Sequence, residues 1–99
     1  MVLKTHSHGM PKIKVRLFAN FREFTKTGEL EIEGNTVKDL LERICNKYPG
    51  FYNILFKDGN LLPYVNIFLN GENVLESGGL DCSLEQGDEI AIFPPVSGG

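Results

Sequence analysis

The first regular pattern along the chain is an alternation of apolar and polar residues in segment 12–21, KIKVRLFANF. Side chains of a β-strand point alternately to its two faces, so this period of two predicts a strand with one face on a core. The core face carries aliphatic residues and the opposite face carries polar and aromatic ones, namely Ile13, Val15 and Leu17 against Lys14, Arg16 and Phe18. Segment 28–34, GELEIEG, alternates in the same way, and the short polar connection between the two segments predicts an antiparallel hairpin.

The spacing of apolar residues changes to three and four in segment 35–50, NTVKDLLERICNKYPG. Such spacing places the apolar side chains in one stripe along a helix. Thr36 is placed to cap the start, with Asp39 three residues further on, and Pro49-Gly50 ends the pattern. The segment therefore predicts an amphipathic helix of about three turns that lies on a sheet.

The second half of the chain carries further strand signals. Segment 51–56, FYNILF, predicts a short helical turn or an irregular packed segment, and KDGN at 57–60 is typical of a turn. YVNIFL at 64–69 is rich in β-branched and aromatic residues, and the Asn-Gly pair at 70–71 favours a tight hairpin with a short returning strand. A polar loop then leads to the last strand, EIAIF at 89–93. Its two faces carry Ile90 and Ile92, and Ala91 and Phe93.

One helix on one face of a mixed sheet predicts an α+β domain with two layers, in which the last strand runs parallel to the first. Ninety-nine residues, 41% hydrophobic and 23% charged, are enough for a single core. We expect residues 1–9, MVLKTHSHG, to be a disordered expression leader, because they are polar and aperiodic. Residues 10–93 form the predicted domain, and residues 94–99 form a flexible tail.

Charge and composition narrow the classes of function. The net charge of −3 disfavours a nucleic-acid or anionic-membrane binder, and no apolar run approaches a membrane span of about 20 residues. No secretory signal is visible, and two cysteines without a CxxC pair indicate the cytoplasm. No catalytic or metal-binding motif is present, and the predicted domain contains no histidine. Cys45 falls on the helix stripe and is expected to be a core thiol, whereas Cys82 falls in the polar loop.

The last seven residues, FPPVSGG, predict a tail that forms neither helix nor strand. Pro94 and Pro95 lack N–H donors, so they end sheet pairing and stiffen an extended chain. Val96 and Ser97 are small, and Gly98 and Gly99 form the thinnest backbone available, which fits a narrow channel in another protein. The carboxylate of Gly99 is a poor electrophile and requires activation before a sulfur or amine nucleophile can attack it.

Three segments resemble the MoaD family, the small subunit of molybdopterin synthase. They are LEQGDEIAIFPPVSGG at the end of the chain, IKVRLFANFRE at its start and VNIFLNGE between them. The resemblance extends from Lys12 to Gly99. It implies the ubiquitin-like β-grasp fold, with four to five strands, one main helix and a free Gly-Gly tail.

The resemblance also implies a function. An enzyme similar to the ubiquitin-activating enzyme, of the MoeB type, would adenylate Gly99 with ATP, and a sulfur donor system would convert the adenylate to a thiocarboxylate. The tail would then enter a MoaE-like large subunit, in a heterotetramer, and give its sulfur to cyclic pyranopterin monophosphate. The active site would lie in the large subunit, and this chain would hold no cofactor.

Residues opposite the predicted core face form a candidate docking surface. Phe18 and Phe93 share a face by the period of two, and Phe68 joins them if the middle strand is adjacent. MoaD-family members are similar in meeting partners through apolar residues at positions matching Phe18, Leu69 and Phe93, although the alternation turns Leu69 inward. The alternative is that segment 51–64 covers this surface.

Three other functions remain compatible with the sequence. The chain could be a ubiquitin-like modifier joined through Gly99 to lysines, as archaeal relatives of the family are. It could be a ThiS-like sulfur carrier for thiamine, which shares the fold and the Gly-Gly end. It could also be a β-grasp interaction module with an inert tail.

Overall fold

The computed structural model describes residues 10–94, whose strands form one five-stranded sheet in the order β2-β1-β7-β5-β6 and one two-stranded hairpin. The main sheet contains β1 Lys12–Leu17, β2 Glu29–Glu33, β5 Asn66–Leu69, β6 Glu72–Asn73 and β7 Glu89–Phe93, and the hairpin contains β3 Phe56–Lys57 and β4 Asn60–Leu61. The helices are α1 Ala19–Thr25, α2 Val37–Lys47 and α3 Phe51–Leu55.

The last strand lies in the centre of the main sheet. β7 runs parallel to β1, with Val15 beside Ile90, and antiparallel to β5, with Ile67 beside Ile92. β1 pairs with β2 as an antiparallel hairpin. The predicted ubiquitin-like β-grasp fold, with a mixed sheet and a main helix, is therefore confirmed.

The helix α2 covers one face of this sheet. The hydroxyl of Thr36 accepts a hydrogen bond from the backbone N–H of Asp39 at 3.1 Å, and an Asp39 carboxylate oxygen accepts one from the N–H of Asn35 at 2.9 Å. These bonds satisfy N–H groups at the start of the helix, as the predicted cap requires. The stripe buries four residues completely, namely Val37, Leu40, Leu41 and Ile44.

The expectation of a strand continuing to Phe21 is wrong. β1 ends at Leu17, and the chain enters α1 through Ala19, whose φ of 53° lies in the left-handed region. The helix buries Phe21 and Thr25, which are four residues apart, and the ring of Phe21 packs edge-on against Phe51 at 5.9 Å between centroids. Packing against a distant segment thus overrides the local alternation.

Segment 51–64 fills one side of the core. Phe51 and Leu55 of α3 are fully buried, and the turn between β3 and β4 places Asp58 and Gly59 at φ 54° and 83°, as the turn signal predicts. The predicted loop after the second hairpin contains two short 3-10 turns, Val74–Glu76 and Gly79–Asp81. Segment 51–64 therefore has a structural role, because its aromatic and aliphatic side chains pack on the core.

Candidate functional site

Three phenylalanines lie together on the sheet face opposite α2. The rings of Phe18 and Phe93 stack with centroids 4.9 Å apart, and Phe68 meets Phe93 edge-on at 5.3 Å. Phe93 ends the central strand β7, Phe68 lies on its neighbour β5, and Phe18 follows β1 with its N–H donating to the carbonyl of Ile92 at 3.2 Å. We call these three rings the aromatic cluster.

The sheet register explains why the cluster borders a depression. Ala91 lies between Arg16 on β1 and Phe68 on β5, and its methyl group leaves space that the longer side chains on either side enclose. The resulting pocket has a volume of about 280 Å³. Its polar end is formed by Arg16, whose guanidinium lies 3.2 Å from the carboxylate of Glu89.

A second pocket, of about 330 Å³, lies where the tail leaves the sheet. Its walls are Phe68, Phe93, Pro94 and Asn66. The amide nitrogen of Asn66 donates to the carbonyl oxygen of Pro94 at 3.5 Å, so one polar contact meets the chain just as it leaves β7. The aromatic cluster therefore borders the root of the tail.

The cluster is open to solvent. Phe18 is 38% exposed, and Phe68 and Phe93 are half-buried. Segment 51–64 lines neither pocket and packs into the core instead. An open aromatic surface of this kind is typical of an interaction site, and the docking role of these residues stays a prediction.

Leu69 does not join the aromatic cluster. It lies beside Ile90 in the sheet and packs against the hydrophobic core, as the alternation along β5 requires. Of the predicted tail, Pro94 is described at the end of β7. Pro95, Val96, Ser97, Gly98 and Gly99 lie outside the described residues, as do residues 1–9.

Residues that the sequence reasoning did not assign to the site are Arg16, Asn66 and Glu89. The signal that could have identified them is the same alternation that placed the phenylalanines. Each lies an even number of residues from Phe18, Phe68 or Phe93 along its strand. Alternation alone does not distinguish a site residue from an ordinary solvated one when the side chain is polar.

No group of three or more histidine, cysteine or acidic side chains among residues 10–94 is placed to bind a metal ion. Burial, and secondly the carboxylate of Glu42, raises the pKa of the Cys45 thiol to about 11, which keeps this thiol protonated at neutral pH. Across the same residues, every helix is too short or too polar to cross a membrane.

Comparisons with known proteins agree on one family for this chain. The sequence profile of the ThiS family matches residues 15–99. The chain is 36% identical over 93 residues to small archaeal modifier protein 3 of Haloferax volcanii, covering 89% of this chain and 99% of the relative. It is 35% identical over 89 residues to the molybdopterin synthase sulfur carrier subunit of Escherichia coli, covering 88% and 99%.

Solved structures agree with the sequence matches. The solution structure of small archaeal modifier protein 1 from Methanosarcina acetivorans is similar with a TM-score of 0.84 and 41% identity, covering 91% of this chain and 98% of that one. A chain in the BexX/CysO complex of Amycolatopsis orientalis is similar with a TM-score of 0.80 and 30% identity, covering 88% and 99%. The resemblance predicted from the sequence is thus confirmed at the level of ubiquitin-like sulfur carriers and modifiers.

Proposed function

The chain belongs to the ThiS family of ubiquitin-like proteins, and from that premise we propose that it is a protein modifier of the small archaeal kind. In this proposal an enzyme similar to the ubiquitin-activating enzyme activates Gly99, and the chain is joined to lysine side chains of target proteins. The supporting observation is the 36% identity to small archaeal modifier protein 3, which extends over 99% of that relative.

The proposed chemistry takes place at one carboxylate. The Gly99 carboxylate attacks the α-phosphate of ATP, pyrophosphate leaves, and an acyl-adenylate forms. The uncharged amine of a target lysine then attacks the activated carbonyl carbon, AMP leaves with the C–O bond electrons, and an isopeptide bond forms. This chain supplies the carboxylate and the docking surface, and its partners supply ATP and the catalytic groups.

The geometry of the described residues fits this division of roles. An activating enzyme must hold the domain and at the same time reach the tail, so its binding surface should border the root of the tail. The aromatic cluster lies there, with Phe93 immediately before Pro94 and one pocket shared between them. Its rings offer an apolar contact that is available before any partner binds.

A second candidate function is a sulfur carrier for molybdenum- or tungsten-cofactor synthesis. The observation that favours it is the identity to the molybdopterin synthase sulfur carrier subunit of Escherichia coli. Here hydrosulfide from a sulfur donor system attacks the carbonyl carbon of the same adenylate, AMP leaves, and a thiocarboxylate remains on Gly99, which then enters a MoaE-like large subunit. The two functions share activation and differ only in the nucleophile that follows, so one chain can serve both.

The test is mass spectrometry of conjugates from cells that produce the tagged chain. Trypsin cleaves after lysine and arginine, and the last such residue of the chain is Lys57, so the natural sequence would leave the whole of segment 58–99 on a modified lysine. Cleavage after glutamate instead leaves segment 90–99, IAIFPPVSGG, on the modified lysine and requires no change to the tail. We expect these remnants on lysines of several proteins and none with a matched variant that lacks Gly98 and Gly99.

The intact mass of the unconjugated chain distinguishes the two candidates. Replacement of one oxygen by sulfur at Gly99, in the absence of lysine conjugates, would support the sulfur carrier and exclude the modifier. Both products together would support a dual role. Neither product, with an unchanged tail after incubation with the activating enzyme and ATP, would overturn both candidates and favour an inert interaction module.

A further inference from the structure

The charges of this protein are separated along its sequence. All ten lysine and arginine residues lie at or before Lys57, whereas seven of the thirteen aspartate and glutamate residues lie between Asp58 and Glu89. Segment 58–99 therefore carries negative charge and contains no basic residue of its own. Its strands β5, β6 and β7 form one side of the sheet face that bears the aromatic cluster.

Three of these acidic residues lie around Phe68. Glu89 lines the pocket that contains Ala91, while Glu72 and Glu76 line a separate depression of about 480 Å³ on the other side of the Phe68 ring. Gly71 contributes to both pockets. Glu72 and Glu76 thus form an acidic rim on the β6 side of the aromatic cluster, close to the apolar surface that a partner would cover.

The three acidic residues around Phe68 differ in their partners. Glu89 is paired with Arg16 at 3.2 Å. Among residues 10–94, Glu72 and Glu76 have no lysine or arginine nitrogen within 4.0 Å and accept no side-chain hydrogen bond. They contribute two unpaired negative charges beside the half-buried ring of Phe68.

Another acidic residue of the same segment has a clear structural role. Asp88 accepts a hydrogen bond from the side-chain amide of Asn70 at 3.0 Å and another from the backbone N–H of Glu85 at 2.8 Å. These bonds join two turns of the fold. Glu72 and Glu76 make no comparable contact within the described residues, so their charges are available to a binding partner.

We propose that the enzyme that activates this chain presents a basic surface, with lysine or arginine side chains that face Glu72 and Glu76 when its apolar contact covers the aromatic cluster. This inference rests on the proposed function and names the chemistry of the partner at that site. An arginine at this position gains a carboxylate partner and can lie against the Phe68 ring, which attracts cations through its face. A partner with an acidic surface would be repelled by the same rim.

Charges at the edge of an interface act mainly on the rate of association and on its dependence on salt. Exposed charges are screened over about 10 Å at 0.1 M ionic strength, so attraction between the rim and a basic partner weakens as salt is added. The apolar contact of the aromatic cluster does not depend on salt in this way. The two parts of the surface can therefore be separated by experiment.

The experiment measures ATP–pyrophosphate exchange by the ubiquitin-activating-like enzyme encoded in the same genome, with this chain as substrate. The test variant is Glu72→Gln with Glu76→Gln. The matched control is Glu31→Gln with Glu42→Gln, which changes the net charge equally at two exposed positions outside both pockets. Thermal unfolding of both double variants confirms that each remains folded.

At low salt we expect the test variant to raise KM about five- to tenfold with kcat unchanged, because the rim acts on encounter. The KM of the natural chain should rise with salt, and that of the test variant should change little. The control variant should stay within about twofold of the natural chain at every salt concentration.

Other results would overturn the inference. Equal KM values for the natural chain and the test variant, or equal effects of the test and control variants, would exclude a basic surface opposite Glu72 and Glu76 while leaving the proposed activation intact. An absence of exchange with the natural chain would instead overturn the proposed function on which the inference rests.

Discussion

The two faces of the central sheet are built from the same strands but differ in burial. On β7, Ile90 and Ile92 point towards α2 and are fully buried, whereas Ala91 and Phe93 alternate with them on the opposite face and are half-buried. The inner face is covered by the chain itself, and no part of residues 10–94 covers the aromatic cluster on the outer face in the same way. Adjacent residues of one strand therefore differ in burial, and the less buried face is the one proposed to bind a partner.

The largest expected difference is in folding stability. Ile92→Ala removes a fully buried side chain and leaves a cavity under α2, so we expect it to lower the free energy of unfolding by about 3 kcal/mol. Phe93→Ala removes a ring that is only partly buried, and we expect a loss of about 1 kcal/mol. Urea denaturation of both variants measures the contrast. Equal losses would mean that the outer face also belongs to the core.

The next expected difference is the low reactivity of the half-buried Cys45 thiol on α2. A pKa of about 11, against the ordinary value of 9.0, reduces the thiolate fraction about 100-fold at pH 8. In a Cys82→Ser background, alkylation by iodoacetamide should be slow at pH 8 and should rise with a midpoint near pH 11.

The raised pKa of Cys45 also makes the free energy of unfolding depend on pH. The folded state holds the thiol proton more tightly than the unfolded state, so this contribution is complete below about pH 9 and is lost as pH rises towards 11. Cys45→Ala should remove that part of the alkaline loss. An alkylation midpoint near pH 9 in the folded protein would contradict both expectations.

Substitutions on the outer face should affect partner binding strongly, although they affect folding stability less than substitutions on the inner face. Phe93→Ala removes the ring that contacts both Phe18 and Phe68, so we expect the KM for activation of the chain to rise about 30-fold, as for a central interface residue. Tyr64→Ala is the matched control, because it removes another exposed aromatic ring that lies outside the cluster. A similar loss with both variants would show that the cluster has no special role.

The smallest expected effect is at the turn between β1 and α1. Ala19 adopts a φ of 53°, which costs an alanine more than a glycine, so Ala19→Gly should raise the free energy of unfolding by about 0.5 kcal/mol. Ala19→Val should lower it, since a β-branched residue tolerates this conformation poorly. Thermal unfolding measures both. A loss of stability with glycine would show that the left-handed turn is not strained.

Much of the fold could be predicted because its signals are local. The alternation in β1 and β7 identified both sheet faces, and Thr36 was recognised as the cap of α2. The Asn70-Gly71 pair predicted a tight hairpin, and both residues adopt positive φ angles of 50° and 90°. Each of these features depends on residues within about ten positions of one another, so their physical causes are present in short segments.

The first helix could not be predicted in the same way. Segment 18–21 continues the alternation of β1 and indicates a strand, and what favours the helix instead is the burial of Phe21 against Phe51. That contact joins residues thirty positions apart. The polar part of the site was missed for a similar reason, since Arg16 meets Glu89 only once β1 and β7 are neighbours.

The sequence by itself determined which residues alternate and where the helix α2 starts, and it carries the Phe-Pro-Pro-Val-Ser-Gly-Gly segment on which the proposed activation rests. The tertiary structure decided what lies beside that tail. Parallel pairing of β7 with β1 brings Phe93 against Phe18, and pairing with β5 adds Phe68 and an acidic rim on its far side. Contacts between distant strands depend on sheet order, and sheet order is set by burying all the apolar faces at once.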